Sequence, residues 1–478
     1  MSSHDTFPRE FSAYQDVRSS HWDQVVSRSD RSWGGYYRQR LIEVFRNHIP
    51  EGSSVLELGC GEGDLLAALK PSTGVGVDFA GQMVAAAKVK HPSLEFLVAD
   101  AHELNLAHSN FDFIILSDLI NDLWDLQQVL ENVRRYCRPD TRVIFNFYSR
   151  LWQPILASAR KFGVAKPNLT QNWFTCHDVK NLLELSGFDP MQEWQEVLAP
   201  LHVPLMSKFS NRFLVKIAPF RWFALTNFLV ARLEPEEASQ PKVSVVVAAR
   251  NEEGHIDELM ARIPDMGSGT EIVFVEGNST DDTWGAIERA IEANPDRNCK
   301  LIKQPGKGKG DAVRAGFDVC TGDILMILDA DITVPPEDLP RFVDVLSSGR
   351  GEFANGVRLV YPMQDDAMRF ANLIGNKFFS LAFSWLLGQQ IRDTLCGTKV
   401  IWAKDYKRLA ENRKYFGDFD PFGDFDLLFG AAKLNLKIME VPIRYRARRY
   451  GDTNIERWRH GVLLLRMVLF AAKRIKFV

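Results

Sequence analysis

The sequence predicts two α/β domains in tandem, and three observations carry that expectation. A short apolar run, Ser54-Val55-Leu56-Glu57-Leu58, ends in a glycine-rich loop and opens a strand–helix alternation. A second run at residues 243–247 opens another. Buried parallel strands read as such runs, with polar or glycine-bearing loops at their carboxyl ends. Between the two alternations, residues 234–241 (EPEEASQP) are charged, bounded by prolines and without apolar period, the profile of an exposed linker. The expected division is 1–234, a linker at 235–241, and 242–478.

Bulk properties set the class. A chain of 478 residues can hold two or three domains, each with its own core. Its 46% hydrophobic and 25% charged residues match a folded protein rather than a disordered one. A net charge of -3 argues against a dedicated nucleic-acid binder, which carries a basic excess. The six cysteines show no C-x-x-C spacing, so reduced thiols in a cytoplasmic setting are expected. The N-terminus lacks the apolar core of a secretory signal, and no apolar run reaches the ~20 residues of a spanning helix.

In the first half, Glu57 precedes Gly59, Gly61 and Gly63 between a strand and the helix start at Asp64. Such glycines let the backbone turn tightly and let a ligand lie against it. Further strands end at Asp78, Asp100 and Ser117-Asp118, and a fifth covers residues 143–147. Asp78, about 20 positions after the loop, suits the hydroxyls of a ribose. Asp100 suits the exocyclic amine of adenine. Each acid falls at a strand's C-terminal end, where open α/β sheets bind ligands. Asp112, at a strand start, reads as structural, and His102, His108 and His177 read as surface histidines. A nicotinamide dinucleotide site would show G-x-G-x-x-G, whereas this loop reads G-x-G-x-G.

These features, over roughly residues 35–235, resemble the class I methyltransferases that use S-adenosylmethionine. The resemblance implies a Rossmann-like sheet and a cofactor site at Glu57, Gly59, Gly61, Gly63, Asp78, Asp100 and Ser117. It also implies that residues 227–232 form the last strand of that sheet. It leaves the methyl acceptor and the base unassigned.

In the second half, the first strand leads into Ala249-Arg250-Asn251-Glu252, and the next into Glu276-Gly277-Asn278. A glycine–lysine segment follows, containing Lys307 and Lys309, and then a strand ending at Asp329-Ala330-Asp331. Two aspartates one residue apart beyond a buried strand suit magnesium or manganese. Such an ion neutralises a leaving diphosphate. One of the two lysines is expected to reach phosphate and the other to be solvated.

In this order the motifs, over roughly residues 242–460, resemble family 2 glycosyltransferases of the GT-A fold, in particular the dolichyl-phosphate mannosyltransferase-like branch. The resemblance implies nucleotide-sugar binding at Ala249, Arg250, Asn251, Glu252, Glu276, Asn278, Lys307 and Asp329, with Asp329 and Asp331 serving the metal. Glu276-Gly277 departs from the family's paired aspartates and leaves the nucleotide open. Asn355-Gly356-Val357-Arg358 and the segment around Asp393 resemble acceptor-side elements. Asp331 and Asp424 are the candidate catalytic acids, although Asp424 equally suits a helix cap.

Arg446 and Arg448, in a basic run, would suit an acceptor phosphate, which points to a polyprenyl phosphate. Three segments mix aromatic, apolar and basic residues as interfacial helices do: 197–233, 373–387 and 461–476. The expectation is therefore a bifunctional transferase, cytoplasmic and peripheral on a membrane. It transfers a hexose and methylates a glycan or lipid intermediate. Two alternatives stay open: a non-catalytic S-adenosylmethionine-binding scaffold in the first half, and a nucleotidyltransferase in the second.

Overall fold

The computed structural model of the chain describes residues 6–26, 35–162, 169–236, 240–358, 370–411, 424–445 and 457–477. For helical residues 6–10, 25–26, 370–376, 424–425, 457–461 and 463–464 the backbone alone is described. The chain divides into two compact units, Met1–Glu234 with the last two residues, and Pro235–Lys476.

The first unit runs α1 (Thr6–Val26), α2 (Gly35–His48), β1 (Ser54–Leu58), α3 (Asp64–Leu69), β2 (Thr73–Asp78), α4 (Gly81–Lys90) and β3 (Glu95–Val98). It continues with β4 (Phe111–Ser117), α5 (Leu126–Arg134), β5 (Cys137–Tyr148), α6 (Gln153–Lys161), α7 (Cys176–Leu185), β6 (Phe188–Glu196), α8 (Met206–Arg212) and β7 (Thr226–Leu233). The sheet order is β3-β2-β1-β4-β5-β7-β6, parallel except for β7. The strand period of two sends Val55 and Glu57 to one face of β1, and Leu56 and Leu58 to the other. Val55 packs in a cluster with Phe45 and Leu66, whereas Leu56 and Leu58 join Val129, Leu130 and Val133 of α5. Burial on both faces is why β1 reads as a continuous apolar run.

Residues 227–232 form the last strand of this sheet along the chain, as expected; in space β7 lies inside the sheet and β6 is the edge. β6 (FDPMQEWQE) escapes sequence reading because it is polar on one face, carries Pro190, and shifts register between Pro190 and Gln192. Proline is tolerated on such edges. Two expectations need correction here, at His102 and within 197–233. His102 is not a surface residue: it is 5% exposed and bonded to Asp100. Within 197–233, Lys216 and Arg232 do not face outward. Lys216 is buried against Glu196, which also pairs with Arg40, and Arg232 pairs with Asp189.

The second unit runs β8 (Val243–Ala249), α9 (Ile256–Arg262), β9 (Thr270–Glu276), α10 (Thr283–Ala293), β10 (Asn298–Lys303), α11 (Lys309–Val319), β11 (Ile324–Asp329) and α12 (Leu339–Ser347). It continues with β12 (Phe353–Val357), α13 (Phe370–Leu387), β13 (Lys399–Trp402), α14 (Ala403–Glu411), α15 (Asp424–Lys433), β14 (Ile438–Pro442) and α16 (Arg457–Ala471). The order is β10-β9-β8-β11-β13-β12-β14, with β13 antiparallel to both neighbours. β10, which feeds the glycine–lysine segment, is a half-buried strand of mixed polarity. All six cysteines are free. No described helix is long and apolar enough to cross a membrane.

Candidate functional sites

In the first unit the sheet order reverses direction at β1, and the loops at its C-terminal edge meet at that switch point, where open α/β sheets bind ligands. The loop after β1 is held from below. Glu57 is buried, and its carboxylate accepts the Leu66 N–H at 3.1 Å, which ties the strand to α3. Burial pushes this carboxyl up to about 8, and the nearby charges of Asp78 and Asp64 push the same way. Glu57 therefore braces the loop from inside. Gly63 sits at φ 77, and a Cβ there would meet Phe96 Cζ at 2.5 Å, so only glycine lets α3 start against β3.

Asp78 closes the loop from the other side. Its carboxylate accepts from Gly61 N and Ala80 N, each at 2.9 Å. Burial raises its affinity for a proton, while the two N–H groups oppose that. Asp100 accepts the His102 N–H at 2.8 Å, contacts His102 Nδ1 at 2.6 Å, and accepts from the Gln15 amide. Burial pushes Asp100 up, but these hydrogen bonds outweigh it and hold the carboxyl below its ordinary range.

A cavity opens between these acids, lined by Gly59, Asp78, Asp100 and Leu119 from the sheet edge and by Tyr14 and Arg18 from α1. Glu57, Gly61, Gly63 and Ser117 are not part of its lining. Gly61 still contributes, through its bond to Asp78. The fit to S-adenosylmethionine rests on two carboxylates spaced along one cavity wall, with glycine backbone beside them.

α1 is the part that sequence reasoning missed. The Tyr14 hydroxyl donates to the Asp122 carbonyl at 2.5 Å, and Arg18 Nε donates to the same carbonyl at 3.1 Å. Phe11 meets His102 edge-on at 5.1 Å. The signal was present as Phe11, Tyr14, Arg18 and Trp22, a three-to-four spacing that marks one helix face. Beyond β4, Asp118 accepts the Tyr37 hydroxyl at 2.9 Å and the Asn146 amide at 2.5 Å. Burial, followed by the Asp118 charge, holds Tyr37 well above its ordinary range. Asp112 accepts from Ser54 N at 2.8 Å and pairs with Arg138, a structural role.

In the second unit the loops after β8, β9, β10 and β11 share the C-terminal edge of the parallel strands. The first two interlock. Asn251 Oδ1 accepts Thr280 N at 2.8 Å, Gly277 N donates to the Ala249 carbonyl at 2.9 Å, and Glu276 accepts from Ser279 N at 2.5 Å. Glu252 is buried against His255, at 2.8 Å. Asn251 and Asn278 both adopt φ 57, a left-handed conformation that asparagine tolerates. Arg250 is exposed. Glu252 and Glu276 thus fix the loops' shape.

Lys309, the first residue of α11, places Nζ 2.5 Å from Asp329 Oδ1 at the end of β11. Lys307 is exposed, so Lys309 is the lysine that meets the acids. A Cβ on Gly397 would collide with Asp329 Oδ2 and Lys309 Nζ, so the missing side chain lets three segments converge. Asp331 accepts from Thr333 N at 3.2 Å and Thr333 Oγ1 at 2.8 Å. Among the described residues no three His, Cys, Asp or Glu side chains cluster as a complete metal cage. Two carboxylates fit a cation that draws its remaining ligands from substrate phosphates and water, as magnesium does.

Arg358, just past β12, forms a two-pronged pair with Asp393: Nε to Oδ2 at 2.7 Å and Nη2 to Oδ1 at 2.8 Å. Burial opposes both charges, but their attraction holds Asp393 below and Arg358 above their ordinary values. The Arg358 guanidinium lies 5.1 Å from the Tyr445 ring centre. Asp424 opens α15, but its side chain lies outside the described residues, as do Arg446 and Arg448 altogether.

Each unit thus gathers polar loops at the C-terminal ends of its parallel strands, the edge at which open α/β sheets bind ligands. Comparison with known proteins gives the classes. Residues 55–140 match the methyltransferase domain family, and residues 244–427 match glycosyl transferase family 2. The chain thus carries a stretch that matches the methyltransferase domain model, followed by a stretch that matches the glycosyl transferase family 2 model. It is 36% identical over 122 residues to a dolichol-phosphate mannosyltransferase of Pyrococcus furiosus, covering 25% of this chain and 34% of that protein. It is 35% identical over 108 residues to an undecaprenyl-phosphate 4-deoxy-4-formamido-L-arabinose transferase of Sodalis glossinidius, covering 22% and 33%. The chain therefore spans about a third of the length of these relatives. Among solved structures it is similar to a SAM-dependent methyltransferase of Thermotoga maritima, at 16% identity and TM-score 0.36, covering 45% of this chain and 98% of that one.

Proposed function

We propose that the chain is a bifunctional enzyme. Its second unit transfers a hexose from a nucleotide-sugar to a polyprenyl phosphate in a metal-dependent reaction. Its first unit methylates a glycan or lipid intermediate from S-adenosylmethionine. The observation that carries the reading is the convergence of Lys309, Asp329 and Gly397 at the end of β11, beside Asp331. A positive and a negative group held at one strand end suit a diphosphate and its cation.

In this reading Asp329 and Asp331 hold magnesium or manganese, which when bound offsets charge on the leaving diphosphate. Lys309 adds a fixed positive charge to the same oxygens. The locked loops of Ala249–Glu252 and Glu276–Asn278 hold the nucleotide. Asp393 keeps Arg358 charged and oriented toward an anionic acceptor. A phosphate acceptor is already ionised and needs no base, so Asp424 is not required to take a proton. In the first unit Asp78 takes the ribose hydroxyls and Asp100 the adenine amine. The names of the two curated relatives, each a polyprenyl-phosphate sugar transferase or mannosyltransferase, support the acceptor class.

The test is incubation of the full chain with a panel of nucleotide-sugars and a short polyprenyl phosphate, with product read by mass spectrometry. A glycosylated polyprenyl phosphate formed only with a divalent cation supports the reading. Release of pyrophosphate from a nucleoside triphosphate with no glycolipid would overturn it in favour of a nucleotidyltransferase.

A further inference from the structure

The connection from β6 to β7, residues 197–225, is built inside out. Its inward side is polar. Asn211 Oδ1 accepts Leu198 N at 2.7 Å and Ala199 N at 2.8 Å, and its amide donates to the Ala199 carbonyl at 2.7 Å. Ser207 accepts from Val203 N at 2.8 Å and donates to the Leu201 carbonyl at 2.5 Å. Lys216 is buried on Glu196. These bonds fix which side faces out, and the outward side is apolar. Leu205 is 87% exposed, Phe223 62%, Trp222 60% and Phe209 54%, with Met206 and Phe220 also exposed.

The short turn at Arg150–Trp152 and the following α6 extend this face. The Trp152 indole N–H donates to the Phe223 carbonyl at 2.9 Å, and Leu151 and Ile155 beside it are exposed. Exposed apolar side chains gathered on adjoining segments in this way mark an interaction site. Charge indicates the partner. No aspartate or glutamate occurs in 197–233 or in 141–177, whereas Lys208, Arg221, Arg150 and Lys161 are exposed. Apolar and aromatic side chains that share their segments with exposed cations and with no acids fit the boundary of an anionic bilayer, where Trp and Phe enter the headgroup–acyl region and Lys and Arg meet lipid phosphates.

The topology places this face on the cofactor's side of the sheet. Thr226, which ends the connection, pairs with Tyr148 at the C-terminal end of β5 and with Glu196 at the end of β6. The connection and α6 therefore emerge from the same sheet edge as the Gly59–Gly63 loop and Asp78. We infer that residues 201–223, with Leu151 and Ile155, dock the methyltransferase unit on an anionic lipid bilayer, so that its methyl acceptor is a lipid-borne molecule. The inference rests on the reading of the chain as an enzyme of lipid-linked intermediates and assigns the membrane contact to the first unit.

The test is sedimentation of the full chain with phosphatidylcholine vesicles, with and without phosphatidylglycerol. Binding is expected with phosphatidylglycerol and weak without it. The double variant Trp222→Glu/Phe223→Glu, and separately Lys208→Glu/Arg221→Glu, should each weaken binding by about tenfold or more. Phe378→Glu/Leu381→Glu, exposed on α13 of the second unit, should leave it unchanged. S-adenosylmethionine binding by each variant, measured calorimetrically, verifies that the first unit is folded. Binding that survives both first-unit variants, or that is lost through α13 instead, overturns the inference. So does a dimer dissolved by Trp222→Glu/Phe223→Glu with no vesicle binding, since a second copy would then cover the face. Sugar transfer to detergent-dispersed acceptor separates the two readings. Its failure with vesicle binding intact removes the proposed function alone, and its success with binding absent removes this inference alone.

Discussion

Lys309 Nζ lies 2.5 Å from Asp329 Oδ1, at the meeting of the first turn of α11 and the last residue of β11. The contact joins a helix start and a strand end that lie 20 residues apart in the chain. It puts a cation at the carboxylate assigned to the diphosphate and metal. Replacing Asp331 by Asn is expected to lower sugar transfer by about a hundredfold or more, the scale of losing one transition-state charge stabiliser. Steady-state rates across a magnesium and manganese titration check this. Full activity in the variant would remove Asp331 from the reaction.

Gly397 offers a separate probe of the same point. Alanine there collides with both Asp329 and Lys309, so Gly397→Ala should displace the pair and raise KM for the nucleotide-sugar by about tenfold, ~1.4 kcal/mol. Unaltered thermal stability alongside raised KM would place the effect at the site. An unaltered KM would show that the convergence does not matter for donor binding.

In the first unit, Asp78→Ala removes the acceptor shared by Gly61 N and Ala80 N as well as the proposed ribose ligand. Hydrogen bonds to charged groups contribute about 1.5–3 kcal/mol, so S-adenosylmethionine affinity should fall by roughly ten- to a hundredfold or more. Isothermal titration calorimetry measures it. Binding at wild-type affinity would contradict the assignment.

Much of this was legible in the chain, for one physical reason. Strands buried on both faces must be apolar throughout, so β1, β2, β4, β8, β9 and β11 announce themselves, and the loops they feed carry the chemistry. β6 and β10 are half-exposed and mixed in polarity, so they carry no such signal. The glycine loop, Asp78 and Asp100 were readable because a strand end followed by a glycine or an acid is a local pattern. The cap formed by Tyr14 and Arg18, the Tyr37–Asp118 contact and the choice of Lys309 over Lys307 depend on segments far apart in sequence. His102 shows the same limit. Its partner Asp100 is two residues away, but Phe11 of α1 and the Asp125 N–H, 3.2 Å from its Nε2, close the rest of its surroundings.

The Arg358–Asp393 pair is nearly wholly buried, so breaking it leaves one charge without its counterpart. Asp393→Ala should destabilise the second unit by about 3–5 kcal/mol. Arg358→Met combined with Asp393→Leu should recover part of that loss, because an apolar pair needs no solvation. Chemical denaturation of the full chain, followed by a second-unit probe, measures both. Equal loss in the single and double variants would mean that packing, not charge, sets the cost.

Glu57 gives a pH signature. Its folded carboxyl is raised to about 8 by burial, above the ordinary value of 4.5. The folded state therefore holds a proton that the unfolded chain releases, and stability falls as pH rises from about 4.5 to about 8. Glu57→Gln, which keeps an oxygen for Leu66 N, should flatten that fall and leave the first unit more stable at pH 8 by on the order of 1–3 kcal/mol. Melting curves from about pH 4 to about pH 9, a range that brackets the fall, test it. A steeper fall in the variant would contradict the burial argument.

The central claim is that one chain carries a sugar transferase and a methyltransferase acting on lipid-linked intermediates. The most direct measurement is mass spectrometry of lipid products from the full chain, given nucleotide-sugars, polyprenyl phosphate and a cation, with and without S-adenosylmethionine. The account predicts a hexosyl-polyprenyl phosphate that Asp331→Asn abolishes, and a lipid-linked product one methyl group heavier that appears only with S-adenosylmethionine and is lost in Asp78→Ala. No hexosylated lipid with any donor, or a methylated product indifferent to Asp78→Ala, would contradict it.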